Sequence, residues 1–339
     1  MKKLPLLSGF LACCAWTACA ATFTTFDVPS SRGTFATRIN SHGSITGYYE
    51  DAASGDHGFL RESNGTLTTF DVPGFVGTIP MSINDHGSIT GIYGEESDVI
   101  HGFVRDSDGS FTTFDAPGCG TPKTGGQEQT GTFAQSINDH GSITGYYYLP
   151  AGGPAHGFLR DSDGSFTTFD GPTVQGGTFP MSINAQGSIT GTLAVGGADH
   201  GFLRDSNGSF TTFDVPGHTG ETSPLSINDH GSITGIAWTL GFLRDSNGTF
   251  TTFSASGSAF NFAQSINEHG SITGYYTDVY GLAYSFLRER DGTFITFSGP
   301  GSVFSTFAQS INDHGSITGY YFTYSAGGGL SSHGFVAEQ

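Results

Sequence analysis

Basic residues are scarce in this chain. Its 339 residues include 12 Lys and Arg against 30 Asp and Glu, and only 12% are charged. Two of the basic residues, Lys2 and Lys3, lie in the leader described below. The remainder carries 10 basic and 30 acidic residues, a formal charge of −20, with Lys123 its one lysine. A surface of that sign repels phosphate backbones and anionic lipid, which argues against nucleic acid as a partner. Cysteine is as sparse. Cys13, Cys14 and Cys19 belong to the leader, leaving Cys119 alone in a Gly-rich loop. One cysteine cannot build a disulfide framework, and with no positional partner it reads as an inert thiol rather than a nucleophile. Past the leader there is no apolar run long enough to span a bilayer, so no membrane insertion is expected. No segment there shows a helical period. Nor is there a nucleophile elbow, a Ser-His-Asp order, an HExxH pair or a phosphate loop. The sequence therefore nominates no catalytic residue, no cofactor and no metal.

Residues 1–20 have the form of a secretory signal: a basic start, the apolar run 4–16, and Ala18-Cys19-Ala20 as a cleavage site. Cleavage would start the mature chain at Ala21 and send residues 21–339 to the periplasm or the exterior. A lipoprotein anchor at Cys13 or Cys19 is the rival reading. Phe10 and Trp16 stand where such signals prefer a small aliphatic residue, so cleavage is favoured.

What the chain has in abundance is glycine (53) and aromatics (30 Phe, 13 Tyr). Glycine without a Gly-X-Y period is not collagen. This much aromatic surface can offset the ordering entropy that keeps polar chains unfolded. The residues are organised by one phrase, Ser-Ile-Asn-Asp-His-Gly-Ser-Ile-Thr-Gly at 136–145, repeated with little change. Its Asn falls at 40, 84, 138, 184, 228, 267 and 312, at intervals of 44, 54, 46, 44, 39 and 45 residues. Such a period marks a repeat architecture.

Each unit contains four strand-like runs, as in 131–138, 141–148, 156–161 and 165–170, rich in Thr, Ile, Phe and Tyr and bounded by Gly, Asn, Asp and Pro. Asp163-Gly164, Asn207-Gly208, Asn247-Gly248 and Asp291-Gly292 are tight-hairpin dipeptides joining the third and fourth runs. In Phe-Thr-Thr-Phe (166–169) the two Phe project to opposite faces, so the sheet must be covered on both sides, as stacked propeller blades are. The chain begins, after the leader, with a fourth run (23–27) lacking a third, and ends with a third run (333–337) lacking a fourth. The two fragments make one blade only if the ends meet. A solenoid would instead need capping repeats. The expected fold is all-β: a seven-bladed β-propeller of four-stranded antiparallel blades, its ring closed by the N-terminal strand on the C-terminal blade.

The pattern Ile-Asn-x-x-Gly-x-Ile-x-Gly, then His-Gly-Phe-Leu, then Gly and Phe-x-x-Phe, resembles the HAF-type extracellular repeat proteins of bacteria over 22–338. That resemblance implies a secreted, β-rich protein and carries over no catalytic residue. The Thr-x-Phe-x-x-Pro endings at 68–73 and 211–216 are similar to those of virginiamycin B lyase-like propellers. The Trp-Phe-Thr-Glu strand of those repeats is missing here, so the likeness is topological.

In such blades the 1–2 and 3–4 turns share one rim, where the connections are nearly identical. The 2–3 loops and blade-to-blade links share the other and vary, as between 48–56, 146–155, 236–240 and 118–131. Variable loops on a repeated scaffold are where recognition is expected. Aromatics leave the second strand toward that rim, and Tyr48, Tyr93, Tyr146, Tyr148, Trp238, Tyr276 and Tyr320 are the candidate ligand-binding residues. Aromatic faces beside acids and amides suit sugars. A first His series (42, 86, 140, 230, 269, 314, with Gln186 in the remaining blade) is too spread out to share one ion and reads as turn residues bonded within their blades. A second (57, 101, 156, 200, 333, replaced by Leu240 and Ser285) reads as packing or inter-blade hydrogen bonding. Asp106-Ser107-Asp108-Gly109 and its copies offer too few oxygens for calcium, which needs about six to eight. The Arg before them (61, 105, 160, 204, 244, 288) is expected to pair with neighbouring carboxylates.

The function expected is that of a secreted, non-catalytic propeller binding a polysaccharide or a cell-surface partner on its variable rim. The alternatives are an enzyme of lyase or hydrolase type on that same rim, or a self-associating envelope protein.

Overall fold

The computed structural model describes residues 22–75, 77–94, 99–119, 130–150, 152–172, 176–303, 305–325 and 328–338; the leader and Ala21 lie outside them. Among the described residues there are 28 strands and no helix. They form seven four-stranded antiparallel blades, over 33–70, 78–114, 130–169, 177–213, 222–253, 260–297 and, for the seventh, 306–338 with 22–26. Blades are numbered here in that order. Blade 3 shows the plan: Thr130–Ile137, Ile143–Tyr148, His156–Arg160 and Phe166–Phe169, paired in sequence. A short parallel contact, Thr130 with Val99 and Gly131 with Ile100, joins blades 2 and 3 near the rim.

The ring closes as the split repeat requires. Thr22–Phe26 pairs antiparallel with Leu330–Glu338 to supply the fourth strand of blade 7. Phe23 stacks on Phe335 at 4.9 Å, and Arg61 of blade 1 lies 5.0 Å over the ring of Phe26.

The motif positions divide into those that pack and those that satisfy polar groups. The third-strand Phe (Phe59, Phe103, Phe158, Phe202, Phe242, Phe286 and Phe335) is wholly buried in every blade. Complete burial of such a side chain contributes about 1.5–3 kcal/mol per blade. The Thr of Ile-Thr-Gly is also fully buried, and its hydroxyl donates to the carbonyl of that Phe, as from Thr144 to Phe158 at 2.9 Å. The following Gly is needed for space rather than for its dihedral angles. A Cβ on Gly145 would sit 2.0 Å from the Phe133 carbonyl oxygen, because a bulge between Ala134 and Ser136 brings the first strand close.

The Arg series does not pair with carboxylates as expected. Each guanidinium instead lies 4.6–5.0 Å over the outer Phe of the preceding blade: Arg105 on Phe70, Arg160 on Phe114, Arg204 on Phe169, Arg244 on Phe213 and Arg288 on Phe253. A cation on an aromatic face is worth about 0.5–2 kcal/mol, more as water is excluded. The two-sided Phe-Thr-Thr-Phe strand thus has a partner on each face.

At the axis the seven Asn form a closed ring. Each Nδ2 donates to the backbone carbonyl of the next blade's Asn at 3.0–3.1 Å, and Asn312 returns the bond to Asn40. Asn138 Oδ1 also accepts the N–H groups of His140 and Ser142, holding the turn. Replacing Asn138 by Ala strips partners from the Asn184 carbonyl and from two turn N–H groups. The expected loss is about 2–4 kcal/mol of unfolding free energy, read from urea denaturation, against near-neutrality for His140→Ala in the same turn.

Candidate functional site

Two surfaces carry chemistry, one at each end of the axis. On the turn rim the residue after each ring Asn is acidic in five blades: Asp85, Asp139, Asp229, Glu268 and Asp313. Ser41 and Ala185 fill the other two positions. Each carboxylate accepts the backbone N–H of the preceding blade's equivalent residue at 2.7–3.0 Å, as Asp139 does from Asp85 and Asp313 from Glu268. Burial, and then the charges of Asp229 and Asp313, raise the Glu268 carboxyl against the hydrogen bonds that lower it. The acids ring the mouth of an axial cavity of about 220 Å³. Among the described residues no group of three or more His, Cys, Asp or Glu is placed to hold a metal. The first His series lies outside this ring. His230 Nδ1 bonds Glu268 of the next blade at 2.9 Å, so its contact is across blades rather than within its own.

On the variable rim the strand-two tyrosines divide by face. Tyr48, Tyr146, Tyr275 and Tyr320 each stack on the first-strand aromatic directly opposite. Tyr146, Tyr275 and Tyr320 also meet the first-strand Phe of the next blade. Phe262, Tyr275, Phe307, Tyr320, Phe35 and Tyr48 form an unbroken arc over blades 6, 7 and 1, with successive centroids 4.6–5.2 Å apart. A shorter arc, Phe133, Tyr146 and Phe179, spans blades 3 and 4, with Tyr148 edge-on at 6.0 Å. Ile79 and Ile92 interrupt the circle in blade 2, and Ser223 and Ile236 in blade 5. All these tyrosines are half-buried. Burial pushes the Tyr48, Tyr146 and Tyr275 hydroxyls up to about 12, with Tyr320, Asp56 and Glu50 adding to the effect at Tyr48. They therefore stay protonated and able to donate at any physiological pH.

The other proposed residues lie elsewhere. Tyr93 is 5% exposed and packs on Phe75 inside the core. Tyr276 faces the same side as Tyr93 and stacks on Tyr284 at 5.5 Å. Trp238 sits at the tip of the brief blade 5 turn with positive φ, 62% exposed. Phe35, Phe307 and Phe262 were not among the sequence candidates. Their signal is the Phe four residues before the Ile of Ile-Asn, aligned opposite the tyrosine by the bulged register.

The second His series makes contacts within its own blade, not between blades. Nδ1 of His57, His101, His156, His200 and His333 lies 2.8–3.0 Å from Asp71, Asp115, Asp170, Asp214 and Asp27, each on the fourth strand's exit. The register also corrects one replacement: Tyr284, not Ser285, occupies the His position of blade 6, opposite Tyr276. In blades 5 and 6, where His gives way to Leu240 and Tyr284, the acid gives way to Ser254 and Ser298. The two residues come and go together.

No protein-family model matches the chain, and no curated protein matches it by sequence. The HAF resemblance accordingly stays an expectation of the sequence. Solved structures share the fold. A catalytically inactive virginiamycin B lyase from Staphylococcus aureus with quinupristin aligns at TM-score 0.64 and 13% identity, covering 94% of this chain and 100% of that one. A streptogramin B lyase aligns at 0.62 and 12%, covering 93% and 97%. Puromycin hydrolase aligns at 0.53 and 13%, but this chain spans only 51% of that protein. At such identities the likeness is one of architecture: this is a β-propeller of the form those lyases adopt.

His57 gives a testable electrostatic consequence. Burial opposes charging its ring, yet Asp71, and then Asp51 at 3.4 Å from Nε2, outweigh that and raise its pKa. A pKa raised on folding gives stability that is complete below the unfolded value, roughly 6.5, and is lost as pH rises through the folded value. NMR titration should place the His57 midpoint above that of a free imidazole, and Asp71→Asn should lower it.

Proposed function

We propose that this chain is a secreted, non-catalytic propeller that binds a polysaccharide on its variable rim, over blades 5, 6, 7 and 1. One observation carries the reading. Among the described residues, the large apolar side chains left exposed are Trp238, Phe260, Val279, Tyr280, Val303, Tyr324 and Leu330, at 43–87% exposure. Every one lies in a 2–3 loop, in a blade link or at a strand terminus on the variable rim of blades 5 to 7, beside the six-ring arc of blades 6, 7 and 1. Exposed apolar groups confined to one sector mark an interaction site.

Aromatic faces with protonated tyrosine hydroxyls offer a sugar both the apolar contact and the hydrogen bonds it needs. A neutral glycan suits the −20 charge better than a polyanion would. Export is supported by the form of residues 1–20. Tyr48 and Tyr320, and Trp238 at the patch edge, are the contacts expected from the sequence candidates in this sector; Tyr146 and Tyr148 belong to the shorter arc.

Binding of neutral glycans by purified 21–339, followed by calorimetry, tests the reading. The double variant Tyr48→Ala/Tyr320→Ala should weaken binding by roughly tenfold per ring, as truncated aromatic anchors do. Tyr146→Ala, on the other arc, should leave it within about twofold. Absence of glycan binding would overturn the proposal. Turnover of a cyclic peptide or ester without glycan binding would favour the enzyme reading.

A further inference from the structure

Arg38 is the one departure from serine in an axial ring. Its equivalents, one residue before each Ile-Asn, are Ser82, Ser136, Ser182, Ser226, Ser265 and Ser310. Each serine Oγ accepts the Ile N–H of the next blade at 3.3–3.4 Å, as from Ile137 to Ser82 and Ile311 to Ser265. An oxygen used as an acceptor leaves its own hydrogen to donate. Ser226 and Ser265 line the axial cavity together with Arg38.

Arg38 makes few bonds to the protein where it stands. Of its five N–H groups, the bond made is from Nη1 to the Thr37 carbonyl at 3.0 Å. It has no ion pair with the acids that line the same cavity, and it lies over no Phe, unlike the six arginines between blades. Burial shifts its pKa downward. A guanidinium in a half-buried cavity with idle donors calls for an oxyanion, and its planar fork matches a carboxylate. The volume accommodates a small anion with a few waters, each needing about 30 Å³. The carboxylates at the mouth penalise every additional negative charge, which favours a monoanion.

We infer that the axial cavity at the level of Arg38 binds one small monocarboxylate, held by the Arg38 guanidinium and the hydroxyls of Ser226 and Ser265. The site is independent of the glycan-binding rim.

Formate is the probe, titrated calorimetrically into 21–339 in a zwitterionic buffer free of carboxylates. Arg38→Ser restores the repeat and offers Ile83 N–H the acceptor that its six counterparts have. The variant should keep or raise the melting midpoint. Wild type should bind formate saturably, more tightly than sulfate, and Arg38→Ser should lose at least tenfold in affinity. No saturable binding by wild type, equal binding by the variant, or a preference for sulfate would each overturn the assignment.

Discussion

The asparagine ring fixes everything else in the molecule. Seven side-chain amides each donate to the next blade's backbone, and the seventh bond exists only because Asn312 reaches Asn40. An open stack would leave one amide without a partner in a buried place, at about 1–3 kcal/mol, and would take from the Asn40 carbonyl one of its two donors, the other being Gly43 N–H. The same amide oxygen pins the turn that follows, so a single side chain sets both the angle between blades and the start of the second strand. Asn meets both demands because it has a donor and an acceptor on one short stem; Asp lacks the donor, and the stem of Gln is one methylene too long. That double duty accounts for its presence in all seven units, including blade 4, where Asp-His becomes Ala185-Gln186.

Much of the fold was legible because the repeat is nearly exact and the blade is split between the chain ends. The contacts between blades were less so. Arg160 reads in sequence as a residue beside the acids of its own hairpin. The ring it covers, Phe114, is 46 positions earlier, and nothing local points there. The His–Asp pairs were legible in principle, through the joint loss of His and Asp in blades 5 and 6. That signal appears only when two alignment columns 14 residues apart are read together rather than one at a time. Ser285 stands in the Gly column, one residue before Phe286; the His column, two before the Phe, holds Tyr284, as its pairing with Tyr276 shows. At the candidate site, Tyr93 and Tyr48 look alike in the linear pattern, but Tyr48 aligns with Gly58 and Tyr93 with His101 across the second and third strands. One residue of register puts the two rings on opposite faces of their blades, one in an arc and one in a core.

The distribution of charge follows from where the arginines are used. Six of the ten basic residues after the leader lie between blades against Phe rings, and a seventh, Arg38, is in the axial cavity. Few cations remain to offset 30 acidic residues at the surface. The acidity of the exterior is therefore partly a result of how the interior is packed. It need not reflect selection for a cationic partner, and it makes a polyanionic one costly.

Function in a ring of equal blades requires that the equality be broken somewhere. The axis and the turn rim cannot supply much variation, because each change there disturbs hydrogen bonds shared with two neighbours. Arg38 is tolerated because the one bond it forgoes, to Ile83 N–H, is at the long end of the range. Among the described residues the variable rim carries no such ring, and its loops differ by blade: a two-residue turn at Trp238, an exposed Val279-Tyr280 tip, and a second strand that runs on to Tyr324, paired with Leu330. These three changes fall in consecutive blades, and each leaves a large apolar side chain more than half exposed. Chance alone would scatter such residues among seven equivalent loops. Among the described residues, their confinement to one sector, next to the unbroken aromatic arc, is what a binding surface built on an otherwise uniform ring would show.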